Sequence, residues 1–251
     1  MGRVLTFVYG VVSYAAFFVM FLYLIAFLAN TDMGLGLAPR TVDTGLSGEV
    51  GTAILINVVL LLLFGVPHTI MARPNFKRAW TKIVPEVAER STYVMVSALT
   101  FALIFWQWRA MPESVWSVQN EMAHNIIWGI YGLGWVTILY SSFVIDHFDL
   151  FGLRQVWLYL TGKPYTRVQF SMRFPYTRIR HPLLLGWILT FWATPDMSSG
   201  HLLFAGIWTA YIFVAIRYEE ADLLKEHGDD YARYRQSVSM FIPIRKGDQV
   251  G

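Results

Sequence analysis

The apolar run from Val4 to Ala29 limits what this chain can become more than any other stretch. It carries no charged side chain, and it is long enough to cross a bilayer with some tilt. It exceeds the apolar part of a secretory leader and no small-residue cleavage site follows it, so it reads as a retained helix. Five more apolar segments come after it: Gly51–Ala72, Ser91–Trp108, Ile126–Ile145, Pro182–Ala193 and Leu202–Ile216. Only 15% of the residues are charged, where a soluble domain carries about a quarter. The expected fold is all-α: a polytopic transmembrane helical bundle of about six apolar segments, with a short C-terminal helical hairpin and cytoplasmic tail helices.

The last two segments fall short of the roughly 20 residues a span requires. Thr194-Pro195-Asp196-Met197-Ser198-Ser199-Gly200 between them is a turn signal, which predicts a tight antiparallel hairpin. Past the hairpin the helix should continue through Ala221–Glu226 to Gly228. Asp229 then opens a last helix with Tyr231, Tyr234 and Val238 on one face, and Pro243 closes it. Asp149, just beyond the fourth segment, is placed to cap a short interfacial helix, with Trp157 and Tyr159 at headgroup depth. There is no internal repeat or low-complexity tract. One domain is therefore expected over residues 1–251, with a four-helix part at 1–147 and the hairpin with its tail at 175–243.

Basic residues orient the spans, because cytoplasmic loops collect Lys and Arg. Arg73, Lys77, Arg78, Lys82 and Arg90 separate segments two and three. Arg154, Lys163, Arg167, Arg173, Arg178 and Arg180 separate four and five. Arg217, Lys225, Arg233, Arg235, Arg245 and Lys246 follow segment six. With Arg3 these fall on one side; only Arg40 and Arg109 fall on the other. Six spans with both termini cytoplasmic satisfy this pattern, whereas five would strand one basic group outside. The chain has no cysteine, so it has no disulfide frame, no thiolate metal site and no cysteine nucleophile.

Polar side chains gathered at the inner ends of apolar helices are candidates for chemistry. His181 precedes Pro182, and proline suits the first turn of a helix. The helix start there, with Arg178 and Arg180, can receive an anion such as a carboxylate or a lipid phosphate. Arg217 and Glu220 are three apart and can pair on one helix face. That leaves Glu219 for an ammonium or a pair of sugar hydroxyls. Asp146-His147 ends the fourth segment, where neither residue is needed to stop a helix, and can accept a proton. His68 is a further inward histidine. No pair of these histidines has metal-ligand spacing on one helix, so no metal is expected. His124 and His201 lie at outer ends and read as structural.

Arg180-His181-Pro182, Gly186, Glu219-Glu220, Gly228, Tyr231, Tyr234 and Ile242-Pro243 resemble the C-terminal signature of isoprenylcysteine carboxyl methyltransferases and bacterial phospholipid methyltransferases. The upstream half resembles a narrower group, the bacterial methanethiol S-methyltransferases and their relatives among nitric-oxide-reductase-associated membrane proteins. That likeness rests on His68, Met71-Ala72-Arg73, Phe76-Lys77, Glu89-Arg90, Trp108-Arg109, the Phe148–Trp157 run, Phe191–Met197 and Gly200–Ala205. Where the broader family often has His-Pro-x-Tyr, this chain has Leu183, Leu184 and Leu185 after Pro182, which weakens the lipid-acceptor readings.

The resemblance implies an enzyme of the bacterial inner membrane that methylates methanethiol to dimethyl sulfide with S-adenosyl-L-methionine, among membrane lipids and without nucleic acid or an obligate protein partner. The cofactor candidates are Arg180, His181, Glu219 and Glu220 from that signature, with Tyr176, Arg178, Arg217 and Tyr218 added for their type and place beside it. In the mechanism that follows, Arg178 and Arg180 hold the methionyl carboxylate, and Glu219 or Glu220 binds ribose hydroxyls or the amino group. His181 brackets the adenine, with Tyr176 or Tyr218 as a stacking face. Asp146 or His147 deprotonates the thiol, with His68 in reserve, and Phe143, Trp187 and Phe191 form its small apolar pocket. A methyltransferase for an isoprenylated or phospholipid acceptor, and a non-enzymatic transporter or haem-binding protein of denitrification, are the alternatives.

Overall fold

The structure, a computed structural model, describes residues 2–31, 38–166 and 173–243. Arg167, Arg245 and Lys246 of the basic groups lie outside the described residues. The apolar runs become helices because backbone polar groups in lipid must bond within their own segment. In order these are α1 (Arg3–Leu28), α2 (Val50–Met71), the short α3 (Pro74–Trp80), α4 (Glu86–Gln107) and α5 (Glu121–Ile145). Then come two short helices, α6 (His147–Leu150) and α7 (Leu153–Leu160), followed by α8 (Pro182–Trp192) and α9 (Ser199–Ser237). Among the described residues, α1, α2, α4, α5 and α9 are long and apolar enough to cross a membrane, and α8 is apolar with 11 residues.

One segment departs from expectation. The sixth apolar stretch is too short to span by itself, yet it is only the N-terminal part of α9, which runs for 39 residues. The apolar pattern ends near Ile216, but nothing there breaks the backbone. The helix continues through charged residues until Gly228, whose φ of 53° and ψ of −127° kink it. A positive φ of this kind suits glycine, which lacks a Cβ.

The chain divides into two compact units. The first comprises Met1–Ser117, Asp146–Val168 and Asp196–Phe204. Within it α1 packs against α4 and α7, and α2 against α4. Phe27 is fully buried among Phe105, Trp108 and Phe204, with ring centroids 5.1, 5.9 and 6.1 Å away. Asn57 is also fully buried, and its side-chain amide pairs with the Arg109 backbone at 2.8 and 2.9 Å. That satisfies an amide which would be costly to leave unpaired.

A strand pair absent from the all-helical expectation links β1 (Ser114–Ser117) to β2 (Asp196–Ser198), antiparallel. The stretch read as a bare turn therefore has structure of its own. Ser198 also opens α9: its Oγ accepts from the His201 amide at 3.0 Å and donates to the Asp43 carboxylate. The cap of α6 is Asp146, not Asp149. Asp146 Oδ1 accepts from the Asp149 amide at 3.1 Å, while the Asp149 carboxylate accepts from Arg154 at 2.9 Å and Tyr165 at 3.2 Å.

The second unit comprises Val118–Ile145, Gln169–Pro195 and Ala205–Gly251. Its centre is a close crossing of α5 and α8. A Cβ on Gly186 would lie 2.7 Å from the Ile138 side chain and 2.9 Å from the Gly134 carbonyl. One on Gly134 would lie 2.7 Å from Thr190 and 3.0 Å from the Gly186 carbonyl. Small residues let the backbones approach where there is no water to drive helices together. This contact holds the short α8 in place. The expected antiparallel hairpin is present: at one end Trp192 Nε1 donates to Thr209 Oγ1 at 2.8 Å and Phe191 lies 6.4 Å from Trp208. At the other end residues 180 and 181 meet Glu220.

Past the kink, Tyr231, Tyr234 and Val238 are buried on one face, as their spacing predicts. The helix stops at Ser237, well before Pro243. The reason is a bridge between Ser239 and Ile179, in which the Arg180 amide bonds the Ser239 carbonyl at 2.9 Å.

Candidate active site

Pro182 is the first residue of α8 and His181 its N-cap, so the hairpin geometry brings position 181 level with Glu220. Arg180 Nε donates to Glu220 Oε1 at 2.8 Å, and Arg180 Nη1 donates to the carbonyls of Arg235 and Val238 at 3.1 and 2.5 Å. His181 Nε2 lies 3.1 Å from the same Glu220 oxygen, and its Nδ1 lies 3.5 Å from Glu219. Arg180, His181 and Glu220 are all buried. A buried ion pair survives only with its remaining hydrogen bonds satisfied, and here two main-chain carbonyls do that.

Glu220 therefore does not take the intrahelical partner expected for it. Arg217 is exposed, and the tertiary partner Arg180 wins because it is buried and already aligned. Glu219 is exposed, as are Arg178 and Tyr218. The site thus has a buried pair, Arg180 with Glu220, beside exposed charges of both signs.

Tyr176 joins this cluster through the tail: Tyr234 Oη donates to the Tyr176 carbonyl at 2.7 Å. Burial, and then the Glu219 carboxylate, push the Tyr176 phenol above its ordinary range, so it keeps its proton. Trp187 stacks on Phe191 at 5.7 Å and meets Trp135 edge-on at 5.6 Å. Phe143 is 53% exposed on α5.

Asp146, His147 and His68 belong to the first unit. His147 is buried, with Nε2 2.8 Å from the Tyr14 hydroxyl. Burial holds its imidazolium back, lowering its pKa against a smaller opposing pull from Asp146. Asp146 sits at φ 127°, a conformation L-residues rarely adopt and one often found at functional sites. His68 Nε2 lies 2.6 Å from the Tyr93 hydroxyl and Nδ1 lies 3.1 Å from Ser97 Oγ, with Phe64 stacked at 4.7 Å. Tyr14, Tyr93, Ser97 and Arg235 were not singled out from sequence. The only available signal was a lone hydroxyl inside an apolar run or a charge in a basic tail.

Several known proteins similar to this chain carry the same activity in their names. A methanethiol S-methyltransferase of Mycobacterium tuberculosis is 47% identical over 97% of this chain and 98% of that protein. Methanethiol S-methyltransferase 2 of Bradyrhizobium diazoefficiens is 46% identical over 96% of this chain and 91% of its own length. A third, from Crocosphaera subtropica, is 43% identical over 97% and 94%. The chain belongs to the methanethiol S-methyltransferase family. It is a methyltransferase, and its apolar helices make it a multi-pass membrane protein. No family model matches the chain, and no solved structure does. In this chain the fold turns the two short stretches around His181 and Glu220 into one buried polar cluster.

Proposed function

We propose that the protein transfers the methyl group of S-adenosylmethionine to methanethiol, giving dimethyl sulfide, in a bacterial inner membrane with both termini cytoplasmic. The observation that carries this reading is the Arg180–His181–Glu220 cluster at the inner end of the α8–α9 hairpin. Arg180 pairs with Glu220, while Arg178 and Arg217 are exposed cations and Glu219, beside His181, is an exposed anion. Such a set fits a ligand bearing a carboxylate and an ammonium. When bound, S-adenosylmethionine supplies an electrophilic methyl group on a sulfonium.

Arg178, with the Leu183 and Leu184 amides that the start of α8 leaves without intrahelical partners, binds the carboxylate. Arg180 acts one layer back, holding Glu220 and the tail. Glu219 takes the ammonium, His181 borders the adenine, and Tyr218 offers its ring. Trp187 and Phe191 line the apolar side, where a one-carbon thiol offers little else to hold. Phe143 completes that wall. Positioning supplies much of the rate of an in-line displacement.

As the thiol sulfur gains the methyl group it must lose its proton, since the thiolate is the stronger nucleophile. Asp146 or His147 takes that proton, with His68 in reserve. Burial keeps His147 neutral, the form able to accept one.

Headspace gas chromatography on purified protein in detergent, given S-adenosylmethionine and methanethiol, tests this. Dimethyl sulfide should appear only with both substrates. A protein that binds S-adenosylhomocysteine yet makes no dimethyl sulfide has a different acceptor, and methylated lipid in the extract would identify it.

A further inference from the structure

Two buried hydroxyls in the second unit take no part in the mechanism proposed above. Ser141 on α5 is fully buried, and so is the Tyr176 oxygen. The two face one another, yet neither completes a hydrogen bond of normal geometry. Helical spacing places Ser141 on the face that carries Gly134 and Ile138 against α8. One turn past the Ile138–Gly186 contact brings it level with Pro182 and His181. Tyr176 feels the Glu219 carboxylate and anchors the tail through its carbonyl. Both hydroxyls therefore belong to the polar cluster, and a buried hydroxyl left unsatisfied costs free energy unless something completes it.

We propose that Tyr176 is a binding residue for the nucleoside half of the methyl donor, donating its phenolic hydrogen bond to a neutral acceptor there, and that Ser141 is a positioning residue that donates to the Tyr176 oxygen from behind. This rests on the donor-site reading above. Direction follows from chemistry: the phenol keeps its proton, so it donates toward the ligand and accepts from Ser141. The acceptor is neutral, because Glu219 would repel a carboxylate at the same place. A base nitrogen or a sugar oxygen has the required character. The carboxylate of the donor then stays with Arg178.

Calorimetric titration of the full-length protein in detergent tests the assignment with two ligands, S-adenosylhomocysteine and 5′-methylthioadenosine, which lacks the amino-acid part. Tyr176→Phe should weaken both by about tenfold and Ser141→Ala by about threefold to fivefold. The double variant should bind no worse than Tyr176→Phe alone, because Ser141 acts through the phenol. Ser141→Thr should restore binding. The ligand-free unfolding temperature of Ser141→Ala should hold or rise, since a costly buried hydroxyl is gone.

Four results overturn the proposal: unchanged affinity in both variants while wild type binds; a loss for S-adenosylhomocysteine alone; additive losses; or a lowered unfolding temperature with binding intact, which marks a purely structural pair. Wild type that binds neither ligand overturns the donor site itself, and this assignment with it.

Discussion

The two units solve the problem of a polar group at an apolar helix end in opposite ways. In the first, His68 and His147 are met by neutral hydroxyls: Tyr93 and Ser97 for one, Tyr14 for the other. In the second, His181 is met by carboxylates, and Arg180 by Glu220. A neutral hydroxyl–imidazole pair carries little desolvation penalty and leaves the ring uncharged. A buried ion pair carries a large one, which a chain has reason to keep where a charged ligand must dock. On the proposed function, the difference separates a region that handles a proton from one that holds a zwitterion.

The sharpest way to break this contrast is to remove one partner from each region. Arg180→Met leaves Glu220 buried without its cation, and the expected loss is about 3–5 kcal/mol of stability, together with S-adenosylhomocysteine binding. Tyr93→Phe removes one neutral hydrogen bond and should cost only about 1 kcal/mol. Thermal unfolding in detergent compares them. Equal losses would mean the ionic cluster is no more demanding than the neutral one.

The next effect is on turnover. Asp146→Asn keeps an oxygen to accept from the Asp149 amide, so the α6 cap survives and only the carboxylate charge goes. Dimethyl sulfide production should fall by about 10²–10⁴-fold, with S-adenosylhomocysteine affinity unchanged. Unchanged turnover would remove Asp146 from the base role and pass it to His147.

Packing variants come third. Gly186→Ala drives a methyl group into Ile138 and the Gly134 carbonyl, at a cost of about 1–3 kcal/mol. Gly206→Ala has open space around its new Cβ and should be neutral or slightly stabilising. If both are neutral in thermal unfolding, the α5–α8 crossing does not hold the second unit together.

Much of this architecture is legible in the chain itself, and the reasons are local. A long apolar run has few options in lipid, so the first four spans, the α8–α9 hairpin and the Gly228 break can be read from residue type and spacing, whereas the full length of α9 cannot. Hidden features depend on partners distant in sequence. Nothing near Glu220 announces that it turns to Arg180 instead of Arg217. Nothing near Gly186 announces Gly134, because a close crossing is a property of two surfaces. Asn57 looks like a lone polar residue in α2 until the Arg109 backbone is seen beside it. Asp146-His147 stands out at the end of an apolar run, but the Tyr14 hydroxyl beside His147 carries no periodic signal in α1.

The smallest expected effect is a pH dependence, and it follows from the neutral half of the comparison. Burial lowers the His147 pKa from its ordinary 6.5, so the folded protein binds a proton there less readily than the unfolded chain. A depressed folded-state value means the stabilising contribution is complete above about pH 6.5 and is lost as pH falls below it. The slope from this one ring is at most about 1.4 kcal/mol per pH unit, and the nearby Asp146 carboxylate softens it. Unfolding midpoints should therefore decline on acidification in the wild type. In His147→Gln, which has no titrating ring but keeps a group able to bond Tyr14, they should decline less. A variant profile that runs parallel to wild type through this window would show that His147 is not held neutral. That would dissolve the distinction between a proton-handling unit and a charge-holding one.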